Sequence, residues 1–138
     1  MRWLSYALLS AVFAGATAIL GKLGVAGIPS NLATAVRTVV ILVFAWAIVV
    51  ARGEHRALSG VEPRTLLFLV LSGVTTGLSW LAYFRALQLG PASRVAPIDK
   101  LSLPFVMLLS WLFLGEVMTA KSMVGAGLMV VGALLTLR

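Results

Sequence analysis

Leu32-Ala-Thr-Ala-Val-Arg-Thr-Val-Val-Ile-Leu-Val-Phe-Ala-Trp-Ala-Ile-Val-Val-Ala51 carries a single charge, Arg37, in an otherwise almost wholly apolar run. A bilayer core about 30 Å thick is crossed by about 20 apolar residues rising ~1.5 Å each. The run therefore reads as a transmembrane helix, with Asn31 before it as a candidate N-cap. Four more runs of this kind lie at about 3–25, 65–89, 92–114 and 120–137. The first stops at Gly27, Pro29 and Ser30, and the third at Gly90-Pro91, a pair that frees φ and removes a backbone donor. Pro97 and Pro104 interrupt the fourth, so a kink or broken turn is expected there. Arg2 ahead of an apolar stretch resembles a signal peptide, but the run is longer than a signal core and further spans follow, so it reads as an uncleaved helix.

The composition agrees. Of 138 residues, 61% are hydrophobic and 11% charged, with a mean hydropathy of +1.07, against about 45–50% apolar and ~25% charged in soluble domains. A small soluble domain could not hide that much apolar surface. The expected fold class is an all-α membrane protein of five transmembrane helices, a single transmembrane domain over residues 1–138 with no room for a soluble one.

Several functions are disfavoured by what the chain lacks. It has no cysteine, and its one histidine, His55, lies in the polar loop Arg52–Arg64, so neither a metal site nor a cofactor is expected. The four acidic residues form no close carboxylate pair at depth, which argues against an enzyme. The net charge of +7 is spread among helix ends and loops, where Lys and Arg meet lipid headgroups, and does not suggest a nucleic-acid surface.

Small residues recur at helical spacing: Gly73 and Gly77 in the third helix, Ala11, Gly15 and Ala18 in the first, Gly125, Gly132 and Ala133 in the fifth. Such stripes let backbones approach in lipid, where apolar burial gives little drive. Packing within one bundle is the simpler reading of Gly73 and Gly77, and a dimer seam the other. The eleven Lys and Arg divide almost evenly: Arg2, Arg52, Arg56, Arg64 and Lys121 on the N-terminal side, and Lys22, Arg37, Arg85, Arg94, Lys100 and Arg138 on the other. So little bias allows insertion in both orientations, with two copies pairing antiparallel as an inverted repeat. A single orientation with the N-terminus inside, forming a parallel assembly, is the alternative.

Charges at membrane depth are expensive, so each is a candidate for function. Lys22, Arg37, Arg85, Arg94, Asp99 and Lys100 all fall toward one face of the membrane. Snorkelling to headgroups accounts for Lys22, Arg85 and Arg94. Arg37 and Asp99 lie roughly 8–11 Å below their helix starts at ~1.5 Å per residue, so an ion pair between them is expected. Asp99 and Lys100 point ~100° apart on a helix, which places one toward a cavity and the other toward a neighbouring helix or second protomer. The pair either fixes helix register or works as an alternating site, with Asp99 exchanging a proton or partner and Arg37 or Lys100 holding an anionic group. Trp80, Tyr83 and Phe84, with Thr75, Thr76 and Ser79, form a face that suits either a cavity for an amphipathic metabolite or a packed aromatic belt. Glu116 is read as structural, capping the last helix or pairing with Lys121.

The stretch Tyr83-Phe-Arg-Ala-Leu-Gln-Leu-Gly-Pro-Ala-Ser-Arg-Val-Ala-Pro-Ile-Asp-Lys-Leu-Ser102, followed by Phe113-Leu-Gly-Glu116 and Gly125-Ala-Gly-Leu-Met-Val-Val-Gly132, resembles the EamA-type domain of the drug/metabolite transporter superfamily. Thr34-Ala-Val-Arg-Thr38 supports the match in the first half. Most relatives carry two such domains. One alone matches the short five-helix bacterial and archaeal members, a half-transporter repeat in the cytoplasmic (inner) membrane. The resemblance implies a homodimer whose central cavity is lined by the first four helices of each copy. Secondary transport of a small metabolite or drug, as an exporter working by alternating access, is the leading expectation. A non-transporting membrane subunit and a flippase for a lipid-linked group are the alternatives.

Overall fold

Pro104 decides where the fourth span breaks. Proline has no N–H to offer the carbonyl four residues earlier, and its ring crowds that carbonyl. The carbonyl in question belongs to Lys100, which accepts instead from the Leu103 N–H at 3.0 Å. In the computed structural model, which describes residues 2–137, the span is accordingly two helices, Ala92–Asp99 and Ser102–Leu114, with Lys100 and Leu101 as a turn between them. Pro97 is accommodated inside the first of these. Replacing Pro104 by Ala supplies the missing donor, and the new amide is expected to show slowed hydrogen exchange as the helix closes across Lys100. Unprotected exchange at that amide would assign the break to another cause.

Among the described residues there are six α-helices and one 3-10 helix and no strand. These are α1 Arg2–Gly24, α2 Ser30–Ala51, the 3-10 helix Glu54–Gly60, α3 Pro63–Leu89, α4 Ala92–Asp99, α5 Ser102–Leu114 and α6 Ala120–Leu135. Four stretches are long and apolar enough to cross a membrane: Trp3–Gly24, Ser30–Ala51, Pro63–Leu89 and the broken Ala92–Leu114. The last, α6, has 16 residues, about 24 Å at the helical rise and so somewhat shorter than the hydrocarbon core. Arg138, counted above among the charges, and the side chain of Arg2 lie outside the described residues.

Two helix ends differ from the sequence expectation. Asn31 does not cap α2: the helix begins two residues earlier than expected, at Ser30 behind Pro29, whose carbonyl accepts from the Ala33 N–H at 3.1 Å. Glu116 does not cap α6 either. Thr119 does, its hydroxyl accepting from the Ser122 N–H at 3.2 Å, while Gly115 closes α5 at φ 66°, a left-handed conformation that side chains resist.

The chain forms two compact units, one of Leu20–Gln88 and the other of the described residues of Met1–Ile19 and Leu89–Arg138. In the second, α6 packs against both α4 and α5. In the first, the core gathers at one end. Val25, Ser30, Ala33, Thr34, Phe84 and Leu87 are buried, and all lie where α1 ends, α2 begins and α3 ends. Toward the other end of α3, Leu66, Leu69 and Val70 are about half exposed or more, as residues facing lipid are.

Candidate functional site

The Leu20–Gln88 unit holds the best-defined constellation, and a glycine makes it possible. A Cβ at Gly21 would stand 3.4 Å from both Leu87 Cδ1 and Phe84 Cζ, so the bare backbone of α1 lets α3 come close. Lys22 follows, and its Nζ donates to the Leu87 carbonyl at 2.6 Å. That carbonyl is among the last of α3, where acceptors lack helical partners and the helix dipole favours positive charge. Lys22, expected to snorkel to headgroups, thus reaches the end of a neighbouring helix. Gln88 ties the same end to the α1–α2 turn, its Nε2 donating to the Ile28 carbonyl at 2.9 Å. Arg85 Nη1 in turn donates to Gln88 Oε1 at 2.6 Å.

Arg37 lies about two turns into α2. Its guanidinium carbon is 4.4 Å from the centre of the Trp80 ring and 5.1 Å from that of Phe84. Positions 80 and 84 are one helical turn apart, so α3 presents both rings to the same cation. Tyr83 meets Phe84 edge to face, with centroids 6.2 Å apart and planes at 70°. Such cation–ring contacts are worth ~2 kcal/mol or more when shielded from water. The carboxylates of this unit, Glu54 and Glu62, both lie outside the spans, and Glu54 is taken by Arg52 at 2.9 Å. Arg37 is therefore neutralised by no carboxylate of its own unit. A cation so held suits a solute with an anionic group and a flat apolar body.

Asp99 and Lys100 belong to the other unit and are joined to each other, Nζ to Oδ2 at 3.3 Å. They were expected to diverge. The divergence holds on a continuous helix, but Asp99 is the last residue of α4 and Lys100 the turn residue after it, so the long side chain can fold back. Both are partly exposed, Asp99 the less so. Gly73 and Gly77 have no such neighbour within the Leu20–Gln88 unit, where a Cβ at either would meet nothing within 4 Å. Close approach there falls to Gly21, which the spacing of small residues does not single out. Gln88 belongs to no charge or small-residue pattern, and its signal in the sequence is that it is the single glutamine of the chain and stands one residue from the end of an apolar helix.

The sequence matches the EamA-like transporter family across residues 1–138. The chain belongs to that family. It is 53% identical, over 133 residues, to a protein of a Sinorhizobium species described as an uncharacterized transporter in the cobO 3' region, a match covering 96% of this chain and 94% of that one. No solved structure matches it. With four apolar spans and this family membership, it is a multi-pass integral membrane protein and a membrane transporter, hence not an enzyme in the usual sense. Its helical fold is that of a single EamA half-transporter repeat.

Proposed function

We propose that this chain is a secondary transporter of small metabolites or drugs, an exporter in the bacterial or archaeal inner membrane that works by alternating access as a homodimer. The observation that carries the reading is Arg37, held on Trp80 and Phe84 within a span, with no carboxylate of its unit to neutralise it. A permanent cation at that depth is costly unless it has a partner part of the time, and a solute carboxylate or phosphate provides one by charge-assisted hydrogen bonds. Asp99, the one carboxylate inside the fourth span, is the candidate for coupling, with Lys100 as the partner it releases when it takes up a proton. A single repeat with nearly balanced Lys and Arg favours two chains, one inverted with respect to the other, surrounding one pathway.

Purified protein in proteoliposomes, given a panel of amphipathic carboxylates under an imposed pH gradient, tests this. The wild type is expected to move at least one solute uphill. Asp99→Asn is expected to retain downhill exchange and lose most gradient-driven accumulation, at least about tenfold as expected when a proton-carrying group is removed. Equal accumulation by the two proteins would remove Asp99 from the coupling step. Accessibility labelling of tags at both termini, in intact cells, reads the orientation, and a uniform result would replace the inverted pair with a parallel one.

A further inference from the structure

An open cleft of about 640 Å³ lies at the end of the Leu20–Gln88 unit, lined by Gly27, Ile28, Pro29, Ser30, Arg85 and Gln88 together with Asn31. We propose that it is an oxyanion-binding site, separate from the Arg37 site, that takes a carboxylate or phosphate group at the membrane face. None of its lining residues is acidic, and Arg85 brings a guanidinium that no carboxylate neutralises among the described residues. Gln88 fixes that guanidinium in place: its Oε1 accepts from Arg85 at 2.6 Å while its Nε2 is anchored on the Ile28 carbonyl at 2.9 Å. The remaining N–H groups of the Arg85 fork are left for a ligand.

Opposite these stands the first turn of α2, a helix of 22 residues whose N-terminus has no side-chain cap. Pro29 has no N–H, and the first helical bond is the one from Ala33 to the Pro29 carbonyl. The N–H groups of Ser30, Asn31 and Leu32 therefore have no helical acceptor, and the helix dipole favours negative charge beside them. Ser30 is the independent sign of a ligand. The residue is only 6% exposed, yet its hydroxyl meets no partner among the described residues. No side-chain oxygen or nitrogen among them is both sealed and unpartnered, so this hydroxyl keeps an opening, and the space that Ser30 lines is the cleft. On a residue so nearly enclosed a hydroxyl is ordinarily hydrogen-bonded. An oxyanion in the cleft would satisfy the hydroxyl, the free amides and the guanidinium together. The Arg37 reading can fail while this one stands, since they share no residue.

The same chemistry can come from a free anion or from a lipid headgroup, and two probes separate them. In phosphatidylcholine nanodiscs, equilibrium dialysis against radiolabelled inorganic phosphate measures the free anion. In discs containing phosphatidylglycerol, native mass spectrometry counts retained anionic lipid. The expected result is saturable binding of at least one probe, weakened about tenfold or more in Arg85→Gln by loss of a charge-assisted fork. Ser30→Ala should weaken it by about threefold, as for one hydrogen bond. Arg85→Lys, which keeps the charge and loses the fork, should fall between, and Arg56→Gln in the 3-10 helix should change nothing. Phosphate bound in phosphatidylcholine identifies a free anion, and phosphatidylglycerol lost only with Arg85 identifies a headgroup. The proposal is overturned if neither probe binds saturably, if Arg56→Gln weakens binding as much as Arg85→Gln, or if Arg85→Lys and Ser30→Ala both bind as the wild type does.

Discussion

Arg37→Ala is expected to lower solute flux in proteoliposomes by about 100-fold, with the protein still inserted and helical. The guanidinium gives a bound anion charge-assisted hydrogen bonds of ~1.5–3 kcal/mol, and the loss of two at the lower end of that range, about 3 kcal/mol, accounts for a factor of that order. The effect on folding should run the other way. A charged residue at the centre of a span costs ~2.5–3.5 kcal/mol on insertion scales, and Arg37, nearer one end of α2, somewhat less; removing it relieves that cost while giving up the contacts with Trp80 and Phe84. These terms nearly cancel, so thermal stability in nanodiscs should change little. Arg37→Lys separates charge from shape: it keeps the cation and loses the planar fork and the stacking, and should retain intermediate flux. A fall in stability with unchanged flux would make Arg37 a fastening between α2 and α3, and would withdraw it from the pathway.

Leu87→Ala is expected to be the costliest truncation in the Leu20–Gln88 unit, at about 2 kcal/mol or more. Leu87 is the one large side chain of the described residues that is fully buried, and its Cδ1 fits against the backbone of Gly21. In lipid the surroundings are as apolar as the side chain, so the loss is one of packing and cavity rather than of transfer from water. Leu69→Ala on the same helix is the control, because Leu69 is 61% exposed and its removal should stay within about 0.5 kcal/mol. Reversible unfolding in mixed micelles compares the two. Equal losses would mean that Leu69 is covered in the assembled transporter.

The spans were legible because length and hydropathy are local properties, and Arg37 could be placed at depth by counting residues from a helix end. That Arg37 would meet Trp80 and Phe84 was not legible, although both rings fall on one face of the third helix, because the meeting depends on how α2 and α3 approach. The same end of α3 is also met by a third helix, α1, at Gly21, so the arrangement depends on three helices at once. Lys22 departs from the expected snorkelling for a related reason. A lysine near a helix end reaches headgroups unless a bare carbonyl lies nearer, and the end of α3 provides one. The break at Lys100 was foreseeable from Pro104, but its effect on Asp99 was not. A side-chain pairing that a straight helix forbids becomes available once the helix ends between the two residues.

The core of the Leu20–Gln88 unit sits at one end only, and that has a mechanical meaning. With α3 held near Phe84 and Leu87 by Gly21 of α1 and Arg37 of α2, and no other residue of α3 buried, α2 and α3 behave as the arms of a pair of tweezers. The distance from the grip to Pro63 is about 33 Å at ~1.5 Å per residue, so a 10° pivot there, taken as a rough scale, would swing the far tip by about 6 Å. The aromatic seat of Arg37 lies next to the fulcrum and would scarcely move, while the far ends of α2 and α3 spread and closed.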